Sequence, residues 1–244
     1  MKKLLLALQF LTILPIRTNV RFKEEDFKSV CAFFPLAGAC IGLILAPLTF
    51  VMEPLPHLAM VASVLAVYIV MTGALHLDGL ADTCDGFFSG KSKEQILEIM
   101  KDSRIGTFGA VGVCMALILK FAFIASFPKE LLWKMFILVP VFSRWVQAMV
   151  CSHCMYARSD GKAKLFFKYA NVKDTAMGAA SSLLFIFILF GLKGIFVFLA
   201  ALFPVALLIK FLEKKIDGMT GDTVGAVSEI AELSILFYGL ILLK

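Results

Sequence analysis

Residues 57–75 read His-Leu-Ala-Met-Val-Ala-Ser-Val-Leu-Ala-Val-Tyr-Ile-Val-Met-Thr-Gly-Ala-Leu, and residues 76–86 continue His-Leu-Asp-Gly-Leu-Ala-Asp-Thr-Cys-Asp-Gly. The first stretch is apolar and long enough to cross a hydrocarbon core of roughly 30 Å as a helix. If that helix continues, Asp78, Asp82 and Asp85 project from one face at the end of a membrane span, because they stand at i, i+4 and i+7. Such crowded carboxylates need a cation, a proton or a basic partner, so the pattern predicts a metal site. A solvated acidic helix end is the alternative.

The composition indicates that the solvent of this chain is a lipid bilayer. Hydrophobic residues make up 60% of the 244 positions, charged residues only 17%, and the mean hydropathy is +0.91. A water-soluble fold of this length cannot bury so much apolar surface. We predict an all-α polytopic transmembrane bundle, a single integral membrane domain over residues 1–244, with about seven spans. The predicted spans are residues 30–52, 57–75, 105–127, 131–151, 175–191, 194–212 and 223–243.

The ends and loops of the chain predict its orientation. Residues 4–16 are apolar but too short to span, and no small-residue cleavage site follows, so we expect an interfacial or re-entrant helix rather than a signal peptide. Lys and Arg are concentrated at the amino terminus and in the loops 76–104, 152–174 and 213–222. The positive-inside rule therefore places these segments in the cytoplasm and the carboxyl terminus outside.

Ionisable residues inside the spans lie in the same half of the bilayer as the aspartates. Glu229 and Glu232 are i, i+3 neighbours on the last span, behind Asp222, and Arg144 lies a similar depth from the cytoplasmic end of its own span. Asp222 and Glu229 are candidates for a second metal edge. For Arg144, pairing with a carboxylate and direct phosphate binding both remain open.

The run Lys101-Asp-Ser-Arg-Ile-Gly-Thr-Phe-Gly109 opens the third predicted span. Free backbone N–H groups at a helix start, together with Arg104 and glycines that permit close approach, favour a bound anion. Close helix packing through the glycines is the alternative explanation for those residues. Asp102 and Arg104 are therefore the candidate substrate contacts of this segment.

Four further polar side chains are Lys162, His76, Lys120 and Lys134. Lys162, in a polar turn of a basic loop, is a candidate phosphate contact. His76 adjoins the aspartates and could act as a base, orient a carboxylate, or form a hydrogen bond at a helix end. Lys120 and Lys134 lie within apolar spans, and both are expected to extend their ammonium groups toward the membrane surface.

Several ordered motifs together resemble one family. The chain is similar to cobalamin synthase, the adenosylcobinamide-GDP ribazoletransferase family, over essentially its whole length. The motifs are His76-Leu-Asp-Gly-Leu-Ala-Asp-Thr-Cys-Asp-Gly86, Lys101-Asp-Ser-Arg-Ile-Gly-Thr-Phe-Gly109, Ser143-Arg-Trp145, Thr220-Gly-Asp-Thr-Val-Gly-Ala226, Leu8-Gln-Phe-Leu-Thr-Ile-Leu-Pro-Ile16 and Phe33-Phe-Pro-Leu-Ala-Gly38.

The resemblance implies a reaction and its requirements. Adenosylcobinamide-GDP and alpha-ribazole, or its 5'-phosphate, would give the cobalamin or its 5'-phosphate and GMP. It also implies a Mg2+ requirement and a bacterial or archaeal cell membrane, with the active site toward the cytoplasm. Besides the two substrates, the expected partner is membrane lipid, with no nucleic acid; a homo-oligomer is left open.

The charged residues then receive hypothetical roles. The candidate metal ligands are Asp78, Asp82, Asp85, Asp222 and Glu229. The candidate catalytic residues are Asp82, Asp85 and His76, with Asp85 and His76 as rival general bases. The candidate substrate contacts are Asp102, Arg104, Arg144 and Lys162, the two arginines neutralising the diphosphate.

Two other functions share features with this sequence. CDP-alcohol phosphotransferases also gather aspartates at helix ends, but their pattern has Asp-Gly-x-x-Ala-Arg where this chain continues Asp78-Gly-Leu-Ala-Asp82. An ion-coupled transporter could use intramembrane acids as a relay. Such a transporter would be expected to show an internal repeat, which the sequence does not display.

Overall fold

The computed structural model describes residues 2–16 and 22–243, and within that part of the chain every regular element is helical. The α-helices in chain order are α1 (Lys2–Leu11), α2 (Phe34–Val51), α3 (His57–Met71), α4 (Leu75–Phe88), α5 (Lys93–Ile99), α6 (Thr107–Ala125), α7 (Lys129–His153), α8 (Lys164–Tyr169), α9 (Val172–Ile216) and α10 (Gly221–Leu242). Short 3-10 turns at Glu24–Phe27 and Cys31–Phe33 precede α2. The all-α prediction is confirmed.

The helices fit a polytopic membrane protein, also as predicted. Among the described residues, five helices are long and apolar enough to cross a membrane, namely α2, α6, α7, α9 and α10. Helices α3 and α4 form a bent pair that makes a sixth if it is counted as one span. These counts take α9 as one helix, whereas two of the about seven expected spans, 175–191 and 194–212, fall within it.

Helix α9 is broken in the middle. Gly191 has φ 60° and ψ −145°, a combination that side chains disfavour. A Cβ placed on Gly194 would lie 2.9 Å from the carbonyl oxygen of Ile186, although eight residues of straight helix extend about 12 Å. The chain therefore turns back at Gly191, and each of the two predicted spans corresponds to one helical segment of α9.

A second break separates the apolar run from the aspartates. After Met71, Gly73 and Ala74 both have positive φ, 59° and 53°, so the helix cannot continue. Helix α4 leaves at 83° to α3. The expectation that one helix runs on into the aspartates is therefore wrong, yet all three do share a helix, α4. The backbone N–H of Ile13 donates to Met71 at 2.9 Å, which ties the segment after α1 to this break.

Glycine contacts set the packing around α7 and α4. Helix α7 is the central element, with its side chains buried along almost all of its length from Leu132 to Cys151. A Cβ on Gly42 of α2 would lie 2.6 Å from the Cα of Ile137, so these two backbones touch. A Cβ on Gly79 of α4 would lie 2.7 Å from the carbonyl oxygen of Asp222. This contact holds the aspartate helix against the start of α10.

Helix α1 covers one side of the bundle. It is ten residues long, too short to span, as the sequence predicts. Its buried residues Leu6, Ala7 and Leu11 share an apolar cluster with Phe34 of α2 and Phe166 of α8. The short amino-terminal helix therefore contributes to the wall of the bundle beside the start of α2.

Candidate active site

A cavity of about 260 Å³ opens between α1, α2, α4, α7, α8 and the start of α10. One part of its wall is polar, and another part is aromatic. The polar side chains are His76, Asp78, Gln147, Arg158, Lys162 and Asp222. The aromatic ones are Phe10, Phe34, Tyr156 and Phe166. Three residues predicted for metal or catalysis, His76, Asp78 and Asp222, and the predicted phosphate contact Lys162 therefore lie around one space.

Glycine contacts bring the two acidic segments together. Besides the contact of Gly79 with Asp222, a Cβ on Gly225 would lie 3.2 Å from the Cα of His76. Helix α10 begins immediately before Asp222, where Thr220 accepts a hydrogen bond from the backbone of Thr223 at 3.2 Å. The first turn of α10 therefore presents its carboxylate beside the face of α4 that carries the aspartates.

Arg158 compensates this acidic cluster. Its Nη1 lies 2.7 Å from Oδ2 of Asp222. Two backbone hydrogen bonds of 2.8 Å, from Ala157 to Met219 and from Met219 to Met155, fix the arginine loop against the turn before α10. In the basic turn at 158–162, the sequence indicated only Lys162 as a candidate contact. The structure adds Arg158, because the hydrogen bonds of its loop to Met219 bring it to Asp222.

His76 is held from behind by α7 and α10. It is 5% exposed, and its Nε2 lies 2.8 Å from Nε2 of Gln147. The same amide nitrogen donates to the hydroxyl of Ser228 at 2.7 Å. With the Gln147 amide in this orientation, Nε2 of His76 accepts a hydrogen bond and its proton resides on Nδ1. Of the three interpretations of His76, the structure shows the hydrogen bond, and its partner is Gln147.

A buried ion network lies beyond this histidine. Glu232 accepts from Nζ of Lys120 at 2.7 Å and from Nη1 of Arg144 at 2.8 Å, and Glu229 accepts from Lys120 at 2.7 Å. The hydroxyl groups of Tyr68 and Ser143 also donate to Glu232. None of the four ionic groups lines the cavity. Both cations are buried, with Arg144 0% and Lys120 2% exposed.

This network bears on three sequence-based interpretations. The expectation for Lys120 is wrong, because its ammonium group pairs with two carboxylates in the core instead of extending to the membrane surface. Arg144 is paired with Glu232, which is the structural one of its two proposed roles. Glu229 bonds Lys120, so a place in a second metal edge would require it to give up this bond. The sequence did contain a signal for this network. One apolar span carries a lysine and another carries two glutamates, and buried charges require partners.

The two polar regions are connected. Arg144 donates to Ser228 at 3.3 Å, and Ser228 accepts from Gln147, which contacts His76 in the cavity wall. Hydrogen-bonded chains of this kind restrict the side-chain orientations available at their ends. The ion network therefore positions His76 without itself reaching the cavity.

Asp85 has a different set of partners from Asp78 and Asp82. Its two oxygens accept hydrogen bonds from the backbone N–H groups of Gly106 at 2.7 Å and Gly109 at 2.8 Å. The anion at the start of α6 is thus a carboxylate of the protein itself, which satisfies the free donors of that helix. A role for Asp85 as metal ligand or general base would require it to give up these bonds.

Asp102 and Arg104 pair with each other at the surface. Nη2 of Arg104 lies 2.6 Å from Oδ2 of Asp102, and neither residue lines the cavity. Hydrogen bonding from Arg104 lowers the pKa of Asp102 to about 2.

Tyr156 is a protonated phenol in the cavity wall. Burial raises the pKa of Tyr156 above its ordinary value, so the phenol keeps its proton. Its hydroxyl donates to the carbonyl oxygen of Asp160 at 3.1 Å.

The remaining acids match the preferences of Mg2+ by chemistry. Asp78, Asp82 and Asp222 offer hard carboxylate oxygens on two abutting segments, and the buried Oδ2 of Asp222 has Arg158 as its ion-pair partner. Across residues 2–16 and 22–243, no three acidic, histidine or cysteine side chains converge closely enough to enclose an ion by themselves. Mg2+ commonly binds one or two carboxylates and completes its shell with water and substrate phosphates. The donor set suits an ion that is shared with a phosphorylated substrate.

Comparison with known proteins shows the family to which this chain belongs. The model of the cobalamin-5-phosphate synthase family matches residues 3–241. An adenosylcobinamide-GDP ribazoletransferase of Alkaliphilus oremlandii is 38% identical over 95% of this chain and 94% of the relative. Those of Clostridium novyi and Geotalea daltonii are 39% and 36% identical, over 96% and 93% of this chain and 94% and 92% of the relatives. No solved structure gives a significant match.

Proposed function

Since the chain belongs to the cobalamin-5-phosphate synthase family, we propose that it joins adenosylcobinamide-GDP to alpha-ribazole or its 5'-phosphate. The products are adenosylcobalamin or its 5'-phosphate, and GMP. The match over nearly the whole length of the chain carries this conclusion. The named relatives are ribazoletransferases, so neither the CDP-alcohol phosphotransferase nor the transporter gains support.

The chemistry makes three demands on the protein. A ribazole hydroxyl forms a bond to the phosphorus that bears the corrinoid side chain, and the bond from that phosphorus to the GMP phosphate breaks. The protein must neutralise a diphosphate, align the attack and accept the hydroxyl proton. Arg158 and Lys162 supply cations in the cavity wall, and Asp78 and Asp222 supply carboxylates. The cavity therefore offers cations for the diphosphate and carboxylates that can accept the proton.

We propose that Mg2+ is bound at the edge formed by Asp78, Asp82 and Asp222, by one or two of these carboxylates together with phosphate oxygens of the substrate. A bound Mg2+ would stabilise the negative charge that develops on the departing phosphate. Arg158 keeps Asp222 oriented through their ion pair. Asp85 and Glu229 have structural partners and are left out of this set.

The general base is then expected on the same face of α4. His76 already accepts a hydrogen bond at Nε2 from Gln147, and Asp85 caps α6. The hydroxyl proton would therefore pass to a carboxylate of the Asp78 and Asp82 pair. A carboxylate can take this proton during the transfer because the attacking oxygen loses it as the new bond forms.

The protein is a multi-pass membrane protein, and we propose that its cavity faces the cytoplasm. The loops with most Lys and Arg, 76–104, 152–174 and 213–222, adjoin the cavity or the helices that form it. These are the loops that the positive-inside rule assigns to the cytoplasm.

One assay tests the function and the metal proposal. Purified protein in detergent is incubated with adenosylcobinamide-GDP, alpha-ribazole 5'-phosphate and increasing Mg2+, and GMP and the complete corrinoid are measured. We expect both products in equal amounts and no turnover in excess chelator. Asp82→Ala should abolish turnover while the protein remains folded. Glu53→Ala, which removes an exposed carboxylate that pairs with Lys129, is the matched control and should retain it. Turnover by Asp82→Ala would remove that residue from the site.

A further inference from the structure

The cavity wall contains two chemically different groups of side chains. One group consists of Asp78, Asp222, Arg158 and Lys162, and we call it the polar end. The other is a cluster of three phenylalanine rings from α1, α2 and α8, namely Phe10, Phe34 and Phe166, and we call it the aromatic end.

The aromatic end is built around Phe166. The centroid of its ring lies 4.4 Å from that of Phe10 and 5.4 Å from that of Phe34. Phe27 also contacts Phe166, at 5.1 Å, but does not line the cavity. The rings of Phe10 and Phe34 thus contribute to the cavity wall, whereas Phe27 supports the cluster from outside. Phe34 and Phe166 are only 2% and 1% exposed, so a flat aromatic ligand that entered this end would contact chiefly the ring of Phe10, which the other two rings hold in place.

Resting on the proposed function, we propose that the aromatic end is the subsite for the aromatic base of alpha-ribazole. A space of about 260 Å³ is small even for a drug-sized ligand, which typically occupies roughly 300–1,000 Å³. It suits one bicyclic base with its sugar and excludes a whole corrinoid. The larger substrate then presents only its diphosphate at the polar end.

This placement orients the smaller substrate. With the base against Phe10, the ribose lies toward α4 and α10, and a 5'-phosphate is directed to Lys162 and Arg158, the cations of the cavity wall. It also gives α1 a function. This helix is too short to span the membrane, but it carries Phe10 into the cavity wall.

The test compares two phenylalanines that both pack on Phe166. Phe10→Leu removes a ring that lines the cavity, and Phe27→Leu removes a ring that does not. Binding of alpha-ribazole to each purified variant is measured by equilibrium dialysis without the corrinoid, and KM values are measured for both substrates. We expect Phe10→Leu to raise the Kd for alpha-ribazole by about 3- to 10-fold. Its KM for adenosylcobinamide-GDP should stay within about 2-fold, and Phe27→Leu should leave both values unchanged.

A third variant tests the polar end. Lys162→Ala should weaken binding of alpha-ribazole 5'-phosphate by roughly 5-fold or more and leave alpha-ribazole itself unaffected, because only the former carries a phosphate. Equal losses for both ligands would contradict the proposed orientation. Unchanged alpha-ribazole binding in Phe10→Leu, or an equal loss in Phe27→Leu, would overturn the subsite. These binding results are independent of turnover, so a wild-type protein that makes no GMP would count against the proposed reaction alone.

Discussion

Removing Lys120 should destabilise the protein through charge imbalance, and removing Glu229 as well should restore much of the stability. The buried network holds two cations, Lys120 and Arg144, and two carboxylates, Glu229 and Glu232, so its net charge is zero. Lys120→Met leaves one uncompensated negative charge in the core. The double variant Lys120→Met/Glu229→Gln leaves a neutral pair, because Glu232 keeps its bond to Arg144 at 2.8 Å.

The magnitude follows from the burial of these groups. Lys120 is 2% and Glu232 1% exposed, and breaking a buried pair by removing one partner costs about 3–5 kcal/mol. For a chain of this length, that cost corresponds to a fall in melting temperature on the order of 10 °C. The double variant should recover about half of the fall, since the remaining cost is that of a buried amide without its full set of hydrogen bonds, roughly 1–3 kcal/mol.

Thermal unfolding in a single detergent, followed by intrinsic fluorescence, measures the effect. Lys134→Met is the matched control, because Lys134 is also on a spanning helix but lies over the rings of Trp133 and Phe190. Its melting temperature should change by less than about 3 °C, as is usual for a site without a buried pair. A double variant as unstable as Lys120→Met would refute the argument from charge balance.

Three further outcomes are expected. Gly79→Ala should lower stability by about 1–3 kcal/mol in thermal unfolding and reduce turnover, because its Cβ would lie 2.7 Å from the carbonyl oxygen of Asp222. Asp85→Ala should cost about 1–2 kcal/mol through the lost cap of α6, with the Mg2+ midpoint of the remaining activity unchanged; a shifted midpoint would return Asp85 to the metal site. Asp102→Asn should leave the pH profile of turnover between pH 5 and 9 unaltered. Arg104 lowers the pKa of Asp102 from its ordinary value of 3.8 to about 2, so Asp102 stays charged in the folded protein throughout this pH range. Any stability that this charge contributes is lost only as the pH falls from about 3.8 toward 2.

Composition and periodicity were sufficient for the fold class. The apolar runs predicted an all-α membrane bundle because every backbone group inside a bilayer must be hydrogen-bonded within its own segment. Of the two breaks, the one at Gly191 matches the predicted boundary between the spans 175–191 and 194–212. The break at Gly73 and Ala74 was not predicted, because both residues lie inside the apolar stretch 57–75.

Spacing within one helix identified the acids of the candidate site but not their partners. The positions i, i+4 and i+7 place Asp78, Asp82 and Asp85 on α4, since helix geometry alone fixes them. That Asp85 caps α6, while Asp222 faces the cavity with Arg158, depends on which helices abut.

The sequence by itself determined the solvent, the helices, the family resemblance and the residues that must find partners, because each depends on local periodicity and side-chain chemistry. Tertiary structure alone decided that Lys120 and Arg144 neutralise the glutamates. It also decided that Phe10 reaches the cavity. These pairings join residues far apart in the chain, and the close contact of helices through glycine, such as Gly79 against the start of α10, brings such residues within bonding distance.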